Sequence, residues 1–338
     1  MKLVIQIPCY NEAATLPVTL AALPLQVPGV DRVEILVIDD GSTDQTAEVA
    51  RRAGVDQVLE LGQHKGLARA FVAGLDAALR MGADVIVNTD ADNQYAGEDI
   101  GSLVAPVLKN QADLVVGERW GPGVEAFSPL KRRLQKMGSW VVRQASNTRI
   151  PDTTSGFRAI SREAAMRTIV FSDFTYTLET LIQAGNRGLR ITHVPVRTNR
   201  AERPSRLFDG IWQYTLRSAA TILRIYAMYQ PLRVFALAGL SFALPGFLLL
   251  LRFLYFYWTD GGGGHVQSLL VAAACGIIGF QMMLFGVLAD LTAGNRRVLE
   301  DVLFHVKKVE YGGQNGERNG LDASSQPNAL CDLSSERA

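Results

Sequence analysis

A chain of 338 residues is long enough for one large domain or two smaller ones. Its 34 Lys and Arg against 33 Asp and Glu leave a net charge of +1, so no global attraction to nucleic acid is expected and none is assigned as a partner. Three scattered cysteines, Cys9, Cys275 and Cys331, argue against a disulfide framework or a cysteine metal cluster and fit a reducing compartment.

The chain opens on Met1-Lys-Leu-Val-Ile-Gln-Ile-Pro8, an apolar run too short for the core of a signal peptide. It reads as a first strand and leaves this part of the chain on the cytosolic side. Strand-like runs then recur at 35–39, 58–61, 85–89, 114–117 and 191–196, several of them continuously apolar, as strands buried on both faces are. Helical patterns at 43–53, 66–80 and 99–109 separate them. Alternating strands and helices predict a mostly parallel α/β sheet with helices on both faces. Ligands bind such sheets beyond the C-terminal ends of the strands, and the polar clusters of this sequence lie there.

An arginine-dense segment, Arg197-Thr-Asn-Arg-Ala-Glu-Arg-Pro-Ser-Arg206, closes the α/β part, giving an expected catalytic domain over 1–205. Residues 206–230 mix aromatic and apolar bulk with Arg217 and Arg224 on one face, which predicts an interfacial amphipathic helix. The stretch 234–251 carries no charge, and 266–289 has only Gln267 and Gln281 as strongly polar groups. About 20 apolar residues cross a bilayer, so two spans are expected, about 232–257 and 266–291, joined by a short glycine-rich turn. Arg217, Arg224 and Arg233 before this hairpin and Arg296, Arg297, Lys307 and Lys308 after it place both ends in the cytosol, with Arg252 snorkelling at the far side. Residues 293–311 then form a cytosolic juxtamembrane segment, and 312–338, polar and without aromatics, a disordered tail.

Three clusters carry the chemistry. Asp90-Ala-Asp92 ends an apolar strand, where two carboxylates can approach one divalent cation, Mg²⁺ or Mn²⁺, with Gln94 adding an amide oxygen. The same run also reads as a solvated acidic turn. At the end of the second strand, the carboxylates of Asp39-Asp40-Gly-Ser-Thr-Asp44 can accept from a base or ribose, while Ser42 to Asp44 also suit a helix cap. Pro8-Cys-Tyr-Asn-Glu12 offers backbone groups and the Tyr10 ring to a base, or simply turns the chain into a helix.

Together, Ile7-Pro-Cys-Tyr-Asn-Glu12, Val37-Ile-Asp-Asp-Gly-Ser-Thr-Asp44, Asp90-Ala-Asp-Asn-Gln94, Val116-Gly-Glu-Arg119 and Thr154-Ser-Gly-Phe-Arg158 resemble the family 2 glycosyltransferases of GT-A fold. Among them the chain is similar to the two-span polyprenyl-phosphate-hexose synthases. The resemblance covers about residues 1–230. It implies donor-nucleotide contacts at Pro8, Tyr10, Glu12, Asp39 and Asp40, and a metal and diphosphate site at Asp90, Asp92 and Gln94. It implies acceptor-phosphate contacts at Arg119 and Arg132, with Asp90, Asp92, Arg119 and Arg132 as the catalytic set. Arg203 and Arg206 match a segment that closes over the donor, Arg206 replacing the usual lysine. Lys136 stands where relatives often carry serine and adds charge on the acceptor side. Glu179 matches an acidic position that either orients an arginine or faces solvent.

The implied reaction is inverting transfer of one sugar from a nucleotide-diphosphate sugar, with UDP-linked donors preferred, to a polyprenyl phosphate in the bilayer. A homo-oligomer is compatible with the pattern. A sugar transferase acting on a glycan or lipid hydroxyl is the alternative, followed by a non-catalytic membrane-tethered sugar-binding subunit.

Overall fold

The computed structural model describes residues 1–120, 150–171, 176–199, 220, 223–224, 226–261 and 266–324. Seven strands form one sheet: β1 (Lys2–Cys9), β2 (Arg32–Asp39), β3 (Gln57–Glu60), β4 (Val85–Asn88), β5 (Leu114–Trp120), β6 (Arg158–Ser161) and β7 (Ile191–Arg197). Their spatial order is β3-β2-β1-β4-β6-β5-β7. The pairs β1/β2, β2/β3, β1/β4 and β5/β7 are parallel, while β6 runs antiparallel to both β4 and β5. The mostly parallel sheet is as expected. The antiparallel strand β6 is new: four residues beginning with an arginine carry no strand periodicity that a sequence can show.

Helices α1 (Leu16–Ala21), α2 (Thr46–Arg52), α3 (Leu67–Arg80), α4 (Ile100–Leu108), α5 (Arg162–Arg167) and α6 (Thr177–Asn186) accompany the sheet. Strand residues alternate between two cores. Leu3, Ile5, Ile7, Val37, Val85 and Val87 pack with Leu16, Ile100 and Leu103 on one face. Val4, Leu36, Ile38 and Ile86 pack with Phe71, Ala78, Leu79 and Leu181 on the other. Both faces of β1 and β4 are thus covered, and the loops at their C-terminal ends are held by buried elements.

The chain divides into two compact units, Met1–Ser205 with Val302–Ala338, and Arg206–Asp301. The second contains helix α7 (Pro231–Asp260) and most of the apolar part of helix α8 (Val266–Ser324). Both helices are long and apolar enough to cross a membrane. They approach closely through small residues: a Cβ at Gly239 would lie 2.8 Å from the Gly279 carbonyl oxygen, and one at Gly246 would lie 2.9 Å from the Cys275 Cβ. Close packing through small residues suits helices that meet in lipid. Most of the expected interfacial helix, 206–230, lies outside the described residues.

Past the second span the chain stays helical. Helix α8 continues without interruption from Val266 to Ser324, through the segment expected to be juxtamembrane and into the expected tail. Two reasons are visible. Arg296 and Glu300, one turn apart, are paired at 3.3 Å. Farther on, Phe304 and Tyr311 are buried in the core that contains α3 and α5. The Arg167 guanidinium lies 3.9 Å over the Phe304 ring, Arg162 donates to the Tyr311 carbonyl at 3.0 Å, and the Tyr311 hydroxyl bonds Asp76. This end of α8 belongs to the sheet unit, far in sequence from the rest of it.

Candidate active site at the strand ends

The ends of β1 and β2 stand side by side, with Cys9 opposite Asp39. Their loops are laced together. Ser42 Oγ accepts from the Asn11 amide at 2.9 Å, Asn11 Oδ1 accepts from the Thr43 amide at 2.8 Å, and Thr46 Oγ1 accepts from the Glu12 amide at 2.9 Å. Asn11 has a positive φ of 55°, a conformation asparagine tolerates better than most residues. Asp39 Oδ1 accepts from the Ser42 amide at 3.1 Å, and Glu12 from the Thr15 hydroxyl at 2.6 Å. Pro8 is buried within β1, and Tyr10 is partly exposed.

Asp40 is buried and its carboxylate is engaged. It accepts from the Lys65 and Gly66 amides, both at 2.8 Å, and its Oδ2 lies 2.8 Å from His64 Nδ1. These contacts draw the loop before α3 against the β2 end, so close that a Cβ at Gly41 would lie 2.5 Å from the Gln63 backbone. The His64 ring stacks on Tyr10 at 3.9 Å between centroids. Tyr10 therefore has a supporting surface that the sequence did not suggest.

The turn after β4 is held from two elements. Thr19 of α1 donates to the Ala91 carbonyl at 2.8 Å. Asn199, just past β7, donates its side-chain amide to Asn93 O and its backbone amide to Gln94 O, both at 2.9 Å. Asp92 Oδ1 accepts from the Gln94 amide at 3.2 Å. Asp90 differs: among the described residues nothing donates a hydrogen bond to its carboxylate. Burial, and then the neighbouring Asp92 charge, push its pKa up to about 7. Gly156 makes the approach possible, because a Cβ there would sit 3.2 Å from both Asp90 oxygens.

Arg119, at the end of β5, is fixed by a bidentate pair. Its Nε and Nη2 reach Asp152 at 2.7 and 3.0 Å, and Nη2 also reaches Thr154 Oγ1 at 2.7 Å. Burial opposes its charge, but Tyr95, Asp152 and Asp90 outweigh that and hold its proton more firmly than usual. Burial likewise opposes the Asp152 carboxylate, but Arg119 and Thr154 hold it below the ordinary range. Nη1 of Arg119 makes no hydrogen bond among the described residues, leaving two donors for an anion.

The turn that carries Asp152 and Thr154 is itself braced by Arg158, which is fully buried. It donates to Thr153 O at 3.0 Å, Ser155 O at 2.9 Å and the Thr180 hydroxyl at 2.5 Å, and burial pulls its pKa down to about 10. Glu179 does not face solvent. It is buried and accepts from the Phe171 amide at 3.0 Å.

The structure thus brings Pro8, Tyr10, Glu12, Asp39, Asp40, Asp90, Asp92, Gln94 and Arg119 to one edge of the sheet. Arg132, Lys136, Arg203 and Arg206 lie outside the described residues. His64 and Asp152 have no signature in the sequence, since single polar residues in a loop or turn form no motif.

A divalent cation fits the Asp90–Asp92 pair. Two carboxylates whose mutual repulsion favours a proton on one of them would be relieved by a cation. Among the described residues no group of three or more His, Cys, Asp or Glu side chains is placed to hold a metal ion alone. A hard cation here would draw its other oxygens from a ligand such as a phosphate.

The family model for glycosyl transferase family 2 matches residues 4–168. An undecaprenyl-phosphate mannosyltransferase of Micrococcus luteus is 33% identical over 206 residues, 58% of this chain and 83% of that protein. A UDP-N-acetylglucosamine–dolichyl-phosphate N-acetylglucosaminyltransferase of Methanococcus voltae is 28% identical, covering 57% of this chain and 83% of that one. Among solved structures, glucosyl-3-phosphoglycerate synthase of Mycobacterium tuberculosis, in complex with Mn²⁺, UDP-glucose and phosphoglyceric acid, superposes with a TM-score of 0.54 at 22% identity. The match spans 67% of this chain and 80% of that one, and the shared feature is the fold.

Proposed function

We propose a function for this chain from one premise: it belongs to glycosyl transferase family 2. It is a glycosyltransferase, and the relatives support transfer of a sugar to a polyprenyl phosphate. The finer reading is inverting transfer of a single sugar from a nucleotide-diphosphate donor. The observation that carries it is the Asp90 carboxylate beside Asp92, to which nothing among the described residues donates a hydrogen bond, while the Arg119 charge acts on it.

Asp90 and Asp92, with Gln94, would hold a divalent cation, Mg²⁺ or Mn²⁺, whose chemistry is to neutralise charge on a departing diphosphate. Pro8, Tyr10, Glu12 and Asp39 would seat the nucleotide. Asp40 acts from behind, fixing the loop that supports Tyr10 through His64. Arg119, always charged and held rigid by Asp152, would position the acceptor phosphate, with Arg132 and Lys136 beside it. Arg203 and Arg206 would close over the donor. A phosphate monoester is anionic at neutral pH and attacks without a general base, so the work is positioning and electrostatics. A hydroxyl acceptor would need a free carboxylate base, and Asp152 is committed to Arg119.

The two apolar helices would bring the catalytic unit to the bilayer where such an acceptor resides, and the arginine and lysine bias supports a cytosolic side for that unit and both ends. The named relatives point to different sugars, mannose and N-acetylglucosamine; a UDP-linked donor is our reading. The test is to incubate purified protein with polyprenyl phosphate and a panel of labelled nucleotide sugars, with and without EDTA. Label should enter the lipid phase with one donor and disappear with EDTA. No lipid product with any donor refutes the reading.

A further inference from the structure

Two strands that are not neighbours in the sheet are joined beyond their C-terminal ends. β6 and β5 lie between β4 and β7, yet the turn after β4 and the chain leaving β7 are stitched together. Tyr95 and Thr198 form an antiparallel bridge, and the Ala96 amide donates to Arg197 O at 3.2 Å. The Arg197 guanidinium reaches Asp99 at 2.8 Å and Glu98 at 2.9 Å. Asn199 completes the clasp and grips the turn twice: its backbone amide donates to Gln94 O and its side-chain NH₂ to Asn93 O, both at 2.9 Å.

The side-chain grip acts on Asp92. Asn93 O and the Gln94 N–H belong to one peptide unit, which is planar and trans, so the carbonyl and the N–H point in opposite directions and turn together. The Gln94 N–H donates to Asp92 Oδ1 at 3.2 Å. Holding Asn93 O therefore holds the direction from which Asp92 receives this bond. A carbonyl only accepts, so the Asn199 amide must present its NH₂ to it. Asn93 sits at a φ of 53°, in the left-handed region that residues other than glycine seldom adopt. A bond from outside the turn opposes its relaxation to an ordinary conformation.

We propose that Asn199 is a positioning residue for Asp92: its side-chain amide, acting through the Asn93–Gln94 peptide plane, sets the orientation in which the Asp92 carboxylate meets a cation. The inference rests on the reading of Asp90 and Asp92 as cation ligands. Outer groups that orient a metal-binding carboxylate commonly change affinity by about 10–100-fold when removed. Arg197 belongs to the same clasp, but its side chain bonds Glu98 and Asp99. It therefore separates a general tie between the strands from an action on the peptide plane.

The test uses the full-length protein in detergent. Mn²⁺ is titrated in the presence of UDP or GDP, free Mn²⁺ is followed by electron paramagnetic resonance against a nucleotide blank, and melting temperature is measured in parallel. Asn199→Ala removes the NH₂ and leaves the backbone grip on Gln94. It should weaken Mn²⁺ binding about tenfold at an unchanged melting temperature, and saturating Mn²⁺ should restore kcat. Arg197→Gln loosens the clasp while Asn93 O stays held, and should keep wild-type Mn²⁺ affinity. Wild-type Mn²⁺ affinity in Asn199→Ala, with Asp92→Ala binding none, overturns this inference alone. So does an equal loss in Arg197→Gln, or a loss that tracks a lower melting temperature. Wild-type protein that binds no Mn²⁺ with either nucleotide overturns the cation reading and this inference with it.

Discussion

Two acidic pairs end neighbouring regions of one sheet, and the protein treats them in opposite ways. After β2, Asp40 is buried and met by two backbone amides and His64, and Asp39 by the Ser42 amide. After β4, nothing among the described residues donates a hydrogen bond to Asp90, which faces a second carboxylate. In the first pair, Asp40 holds two loops together. In the second, the Asp90 carboxylate accepts no hydrogen bond from the described residues, which suits our reading of it as a cation ligand. Carboxylates at the ends of two strands of one sheet thus differ in what donates to them.

The comparison breaks most sharply in activity. Asp92→Ala should cut lipid-phase sugar transfer by about 10³-fold while leaving the melting temperature equal or higher, because a repulsive charge has gone. Arg119→Lys should come next. It loses the planar fork that pairs with Asp152 and keeps Nη1 free. Acceptor KM should rise about tenfold or more, with donor KM little changed, as steady-state kinetics with each substrate varied will show.

Asp40→Ala should act on stability. It strands the Lys65 and Gly66 amides, and a loss of about 2–4 kcal/mol is expected from two bonds to a charged acceptor. Urea unfolding of the purified protein would read it as a lower midpoint. The last effect is in pH. The Asp90 pKa is raised in the folded state, so the native protein binds this proton more tightly than the unfolded chain does. Asp90 therefore favours folding in acid. That contribution is lost as pH rises from about 4, the ordinary carboxylate range, through the folded value of about 7. The difference in melting temperature between wild type and Asp90→Asn should widen, in favour of the variant, over this window.

Much of this was readable from sequence because local signals sufficed. Runs such as 3–7 that pack on both faces announced the parallel strands, and the polar turns after them marked the candidate site. Strand β6 was not readable, since Arg158 is tolerated in it only because Thr153, Ser155 and Thr180 supply acceptors from elsewhere. The opposed roles of Asp40 and Asp90 were equally hidden, because both depend on distant partners: the loop at 62–66 for one, Gly156 for the other. The run of α8 into the sheet unit escaped for the same reason. Phe304 and Tyr311 are ordinary residues of a charged helix until α3 and α5 are there to receive them.

The most direct test of the central claim, that Asp90 and Asp92 are reserved for a cation carrying a nucleoside diphosphate, is thermal melting at pH 8. Wild type, Asp90→Asn and Asp40→Asn are compared without metal, and again with Mn²⁺ and UDP or GDP. Without metal, Asp90→Asn should melt above wild type and Asp40→Asn below it. With Mn²⁺ and the nucleotide, wild type should be stabilised by ligand binding and Asp90→Asn should not respond. A metal-free Asp90→Asn that melts below wild type, or one that gains as much from Mn²⁺ and nucleotide as wild type does, would contradict the account.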